Sequence, residues 1–168
     1  MFRFALLALA FSAVTLPAYS QDFVKSSILK HLNKSKDFTV KVAEAMPEAD
    51  YDFKLTPPQM SFAQQMVHLS QGFDYFTGPF SGQKPSGAKP ASMKKADVVA
   101  FVKMSFDQLI ARVSDLNHDQ LAKTYKSDEG EMTGFDLLLG ILDHTTHHRA
   151  SAEMYLRAKG ITPPEYEF

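Results

Sequence analysis

Apolar residues recur along this chain at steps of three and four, the period of an amphipathic helix. Val24, Ile28, Leu32, Phe38, Val42 and Met46 mark a first helix over residues 23–46, ended by Pro47. Residues 48–55 are polar and aromatic and keep no period. Thr56-Pro57 then reads as a start signal, a capping Thr followed by Pro at the first helical position. Phe62, Met66, Leu69, Phe73 and Phe76 carry a second helix over residues 57–77, broken by Gly78-Pro79. Residues 78–92 hold three Gly and three Pro and predict an irregular loop. Val98, Phe101, Val102, Ser105, Leu109 and Val113 give a third helix over residues 95–116. A polar stretch leads to Gly130. The fourth helix starts at a Thr133 cap and runs to Lys159, with Gly160 as its stop and Pro163-Pro164 beyond. No strand of convincing length is visible. Four long helices and no sheet predict an all-α four-helix bundle.

The N-terminus reads differently. Arg3 is followed by a mostly apolar, uncharged run to Leu16, and Ala18-Tyr19-Ser20 offers small residues for cleavage before Gln21. This is the pattern of a secretory signal peptide. The run is shorter than the roughly 20 residues that a membrane-spanning helix needs. The expectation is therefore a signal peptide over residues 1–20, one mature domain over residues 21–168, a periplasmic or secreted location, and no membrane span after cleavage.

Charge and cysteine content narrow the chemistry. The formal net charge is −1, and loss of Arg3 makes it −2. Nothing in that balance favours nucleic acid or an anionic membrane surface as a partner. The chain has no cysteine, which excludes disulfides, a thiolate nucleophile and thiolate metal ligands. Any metal must be held by His, Asp or Glu.

Candidate ligands lie in the run Asp143-His144-Thr145-Thr146-His147-His148-Arg149. His144 and His148 are four residues apart and share one helical face. They continue the stripe Leu137, Ile141, His144, His148, Ser151, Tyr155, which should face the bundle interior. Two imidazoles so placed can hold one transition metal. The bland alternative is a hydrogen-bonded pair in the core or at the surface. His147 points away from the stripe and reads as a flanking residue or a substitute ligand. His68 lies on the second helix, one position before Leu69, and shares a face with Gln65, Gly72 and Tyr75. It is a third ligand if that helix packs beside the fourth, and otherwise a helix–helix histidine. His31 and His118 sit among polar residues and read as solvated. Asp143, His147 and Tyr75 are the candidates for supporting roles around an ion. H-E-x-x-H, G-x-S-x-G, phosphate-loop and di-iron E-x-x-H motifs are all absent.

The stretch from Asp143 to Ser151, followed by Tyr155-Leu156-Arg157-Ala158-Lys159-Gly160 and Pro163-Pro164, resembles the last helix of the DinB family, which commonly shows H-x-x-x-H-R-G-Q there. Ala45-Met46-Pro47, Tyr51-Asp52-Phe53-Lys54 and the segment from Pro57 to His68-Leu69 resemble that family's first loop and second helix. Ala150-Ser151 stands where Gly-Gln is common. The resemblance covers nearly all of the mature chain. It implies a four-helix bundle with a three-histidine site at His68, His144 and His148, a zinc or nickel ion, and a homodimer.

A divalent ion held by three neutral imidazoles keeps its full charge and an open position, where it can acidify water or polarise a carbonyl or phosphoryl oxygen. The leading expectation is an exported metal-dependent hydrolase acting on a small molecule. The alternatives are a metal-dependent thiol S-transferase or isomerase, and a non-enzymatic metal- or ligand-binding module.

Overall fold

The computed structural model describes residues 19–166 apart from 83 and 129, with side chains from Phe23 onward. The expected signal peptide falls on residues that, save for the last two, lie outside this range. Five helices and one small hairpin follow in order: α1 (Tyr19–Ala45), α2 (Phe62–Ser81), α3 (Lys95–Asp115), α4 (His118–Ala122), β1 (Thr124–Ser127), β2 (Gly130–Thr133) and α5 (Gly134–Ala158). A single 3-10 turn, Glu48–Asp50, follows α1. No helix among the described residues is long and apolar enough to cross a membrane.

The four long helices form the expected bundle. α2 packs against α5 and α3, and α1 packs against α3 and α5. Around the bundle the order is thus α1, α3, α2, α5. Helices α1 and α2, consecutive in the chain, lie across a diagonal, as do α3 and α5. The diagonal crossings are made by residues 46–61, which carry the 3-10 turn, and by residues 116–133, which carry α4 and the hairpin. The core is built from the predicted stripes: Leu32, Phe38 and Val42 of α1, Met66, Leu69 and Phe73 of α2, and Val102, Leu109 and Val113 of α3 are all buried, and Phe106 joins them.

Helix α2 departs from expectation at both ends. It starts at Phe62, not Pro57, because Ser61 and Gln64 form a reciprocal capping box. Thr56 instead opens a turn, its carbonyl accepting from the Gln59 N–H at 3.1 Å. The carbonyls of Phe53 and Tyr51 accept from the N–H groups of Phe62 and Ala63, at 3.0 and 2.9 Å. These would otherwise be orphan donors of the first turn. At the other end α2 runs through Gly78-Pro79 to Ser81. A proline in the last turn removes one hydrogen bond of a helix that is about to end anyway.

The segment after α3 is also more ordered than its polarity suggests. Asn117 and Gln120 cap the short α4. β1 and β2 then pair antiparallel, from Thr124↔Thr133 to Ser127↔Gly130. This hairpin corrects the expectation of no strand. Four-residue strands leave almost no periodic signal, and their side chains are only partly buried. The unit seats the start of α5: the Gly134 N–H donates to the Lys123 carbonyl at 2.9 Å, and Thr133 caps the helix with Asp136 in a second reciprocal box.

Candidate metal centre

Helices α2 and α5 lie side by side, and their contact brings His68, His144 and His148 together. One nitrogen from each ring lies within 4.8 Å of the others. The ring centroids are 4.4 Å apart for His144 and His148, 4.6 Å for His68 and His148, and 5.4 Å for His68 and His144. All three side chains are half-buried at the edge of the core.

That position differs from the predicted stripe. Leu137, Ile141 and Tyr155 are buried as expected, but the positions completing the buried face of α5 are Leu138, Thr145, Arg149, Ala152 and Leu156. The histidines flank this face. Thr145 tolerates burial because its hydroxyl donates to the Ile141 carbonyl at 2.7 Å. Arg149 tolerates it because its guanidinium donates to the Ser35 hydroxyl at 2.7 Å and lies 4.7 Å above the centre of the Phe38 ring.

Neighbouring residues fix each ring. Nδ1 of His148 is 2.8 Å from Oε1 of Gln65, one turn before His68 on α2. A carbonyl oxygen can only accept, so Nδ1 carries the proton and Nε2 keeps its lone pair. His144 stands opposite Gly72, where a β-carbon would come within 2.3 Å of its Cε1. The His144 ring thus fills the space that the missing side chain of Gly72 leaves. The edge of Phe76 packs on the same ring at a centroid distance of 5.7 Å. Phe76 in turn fits because Gly140 leaves room for it; a β-carbon there would lie 2.6 Å from its Cε1. Nδ1 of His144 is buried and has no hydrogen-bond partner among the described residues.

Electrostatics favour the neutral rings. Burial, then the charges that His68 and His147 can carry, push His144 down to about 4. Burial, then His144, His68 and His147, push His148 down to about 4 as well. Both therefore offer lone pairs throughout the neutral range.

The other candidates are placed as follows. His147 is exposed and lies edge-on to His148 at 4.9 Å, outside the three-nitrogen group. Asp143 is exposed, beside Thr146 and Leu142 in a shallow cleft of α5. Tyr75 is half-buried, with its ring edge against Phe76 at 5.2 Å. His31 and His118 do not join the cluster. Both are half-buried and engaged in contacts of their own, which corrects their reading as solvated. Sequence reasoning placed Gln65 and Gly72 on the correct face but assigned neither its partner. It gave Arg149 no role, although Ile141, Thr145 and Arg149 follow one another at four-residue steps.

Comparison with known proteins agrees with this architecture. The sequence model of the DinB family matches residues 19–168. An uncharacterised protein of Bacillus subtilis, YjoA, is 23% identical over 144 residues, covering 82% of this chain and 92% of YjoA. The crystal structure of YjoA, a DinB-like protein, superposes with a TM-score of 0.72 at 21% identity, covering 83% of this chain and 96% of that one. A DinB-like protein of Bacillus cereus superposes with a TM-score of 0.75 at 13% identity, over 84% of this chain and 97% of that one. YfiT of Bacillus subtilis, described as a probable metal-dependent hydrolase with an unusual four-helix bundle topology, gives 0.64 at 14% identity, over 82% and 89%. At these identities the structural likeness is one of fold. The match of the family model to nearly the whole described chain carries more: this protein belongs to the DinB family.

Proposed function

We propose that the chain is a metal-dependent hydrolase whose divalent ion, zinc or nickel, is held by His68, His144 and His148. The observation that carries this reading is the convergence of three ring nitrogens within 4.8 Å from two helices. The site also fits an ion in detail. His148 is held in the tautomer that leaves Nε2 free, and the buried Nδ1 of His144 lacks any partner among the described residues. A metal ligand set with an oriented imidazole and a carbonyl acceptor behind it follows the usual construction of such sites. The likeness to YfiT, itself described as a probable metal-dependent hydrolase, points the same way.

When bound, a divalent ion with three neutral ligands supplies Lewis acidity at an open position. The protein's own residues do the rest. Gln65 orients His148, Gly72 admits the His144 ring, and Phe76 shields one side of that ring from water. His147 stands on the exposed side, against His148, and is the ionisable group placed to take up a proton from a substrate or a water molecule there. The protein acts outside the cytoplasm, as Arg3, the apolar run and Ala18-Tyr19-Ser20 suggest.

Metal analysis of protein purified from its native host tests the reading. About one zinc or nickel per chain is expected, falling sharply in each of His68→Ala, His144→Ala and His148→Ala and staying unchanged in His147→Ala. Mass spectrometry of the same sample should find an N-terminus near Gln21. The metal-loaded protein should cleave a member of a panel of small esters, amides and phosphoesters, and His147→Gln should slow that reaction at unchanged occupancy. Full occupancy after loss of any of the three histidines would overturn the assignment. Cobalt substitution tests the chemistry: a thiolate charge-transfer band at low thiol concentration would replace hydrolysis with thiol transfer.

A further inference from the structure

A second cavity lies on the other side of α5. Residues 135, 139, 142, 146 and 149 fall on one face of that helix, roughly opposite His144 and His148 by the helical period. With α1 they enclose a cleft of about 470 Å³, within the range of small-molecule sites. Much of its lining is apolar, from Phe23, Ile28, Phe135, Leu139 and Leu142, while His31, Lys34 and Ser35 border it on the α1 side. Phe23 is 69% exposed and Leu139 45%, so the cleft opens to solvent along its length.

Arg149 also lines this cleft. The residue is only 5% exposed. Ser35, another lining residue, accepts its one side-chain hydrogen bond among the described residues, Phe38 lies beneath it, and the carboxylate of Glu153, one turn on, acts on its charge without a contact ion pair among them. A guanidinium has five donors, and a buried cation is costly unless an anion or a full set of acceptors meets it. The cleft thus joins a long apolar wall to the buried Arg149 guanidinium, with the Lys34 ammonium also on its border.

We propose that the cleft between α1 and α5 binds an anionic amphiphile of the fatty-acid class, its carboxylate on Arg149 and its hydrocarbon chain along Phe23, Ile28, Phe135, Leu139 and Leu142. A guanidinium matches a carboxylate in a bidentate pair, and the apolar wall beside Arg149 matches a hydrocarbon chain. The site is separate from the three histidines and does not depend on the metal reading.

Fluorescence titration of the full protein with cis-parinarate, competed by dodecanoate and by dodecanol, tests this. Saturable binding of one probe per chain is expected. Dodecanoate should displace it about tenfold or more better than dodecanol, the worth of a hydrogen-bonded charge pair. Arg149→Met should erase that preference by weakening dodecanoate alone. Leu139→Asp, at the exposed rim where folding is least disturbed, should weaken both competitors. Binding should be unchanged by a chelator and by His68→Ala. Absence of saturable binding, equal competition by dodecanol, or loss of binding in His68→Ala would overturn the proposal. So would a wild-type dimer that binds no probe and that Leu139→Asp converts to a monomer, since the cleft would then be an interface between copies. If Arg149→Met does not fold, the two competitors and Leu139→Asp still decide.

Discussion

Gly72 on α2 faces the imidazole of His144 on α5 so closely that a β-carbon there would lie 2.3 Å from Cε1 and 2.7 Å from Nδ1. The obstructing atoms belong to a side chain, not to backbone, so the ring can swing away while the helices stay packed. Gly72→Ala should therefore keep the helical circular dichroism spectrum and lose bound metal. Retention of full metal occupancy in this variant would show that the His144 ring need not sit where it does.

Gln65 supplies the acceptor that sets the His148 tautomer. Replacing such an orienting partner costs roughly 10–100-fold in metal affinity. Gln65→Leu should show a loss of that order in a chelator competition titration. Gln65→Glu keeps an acceptor in reach and should retain most of the affinity. Equal affinity in Gln65→Leu and the wild type would remove Gln65 from the site.

Acidification should weaken the metal-free fold. His144 and His148 titrate near 6.5 in the unfolded chain and are pushed down to about 4 in the folded one, by burial first and then by neighbouring imidazoles. Between those values the unfolded state binds more protons, so stability falls as pH drops from about 6.5 towards 4. Urea unfolding of metal-free protein at pH 7.5, 5.5 and 4.5 should show the midpoint falling. The double variant His144→Gln/His148→Gln should have a flatter profile. A wild-type midpoint that rises on acidification would contradict this assignment.

Tyr51 anchors the loop that leads into α2. Its buried hydroxyl donates to the Ala43 carbonyl at 2.7 Å, and its ring meets Phe62 edge-on at 5.2 Å. Tyr51→Phe leaves that carbonyl without the bond and should cost about 1–2 kcal/mol in urea unfolding. A neutral result would mean that water replaces the hydroxyl.

Much of this fold is written in local pattern. The stripes of α1 and α3 were readable because Leu32, Val42, Val102 and Leu109 are apolar and buried, and nothing polar competes for their face. Thr56-Pro57 and Ser61–Gln64 are both start signals for α2, and only the pairing of the Phe53 and Tyr51 carbonyls with the helix favours the second. The buried face of α5 departs from its apolar stripe for a related reason. Thr145 and Arg149 look like surface residues until Ile141, Ser35 and Phe38 are seen to satisfy them. The histidine pair was legible from spacing alone. That His68 meets it depends on α2 lying beside α5, which no local signal records.

The diagonal placement of α1 and α2 bears on how this molecule reaches its final form. Helices α2 and α5, which carry the histidines, pack against each other although α3, α4 and the hairpin separate them in sequence. Such remote pairings raise contact order and close late in folding. A growing chain emerging from the ribosome therefore holds His68 long before its partners exist. A fragment ending before α5 retains one of the three histidines, so the cluster is a property of the finished tertiary structure and of no isolated piece of it.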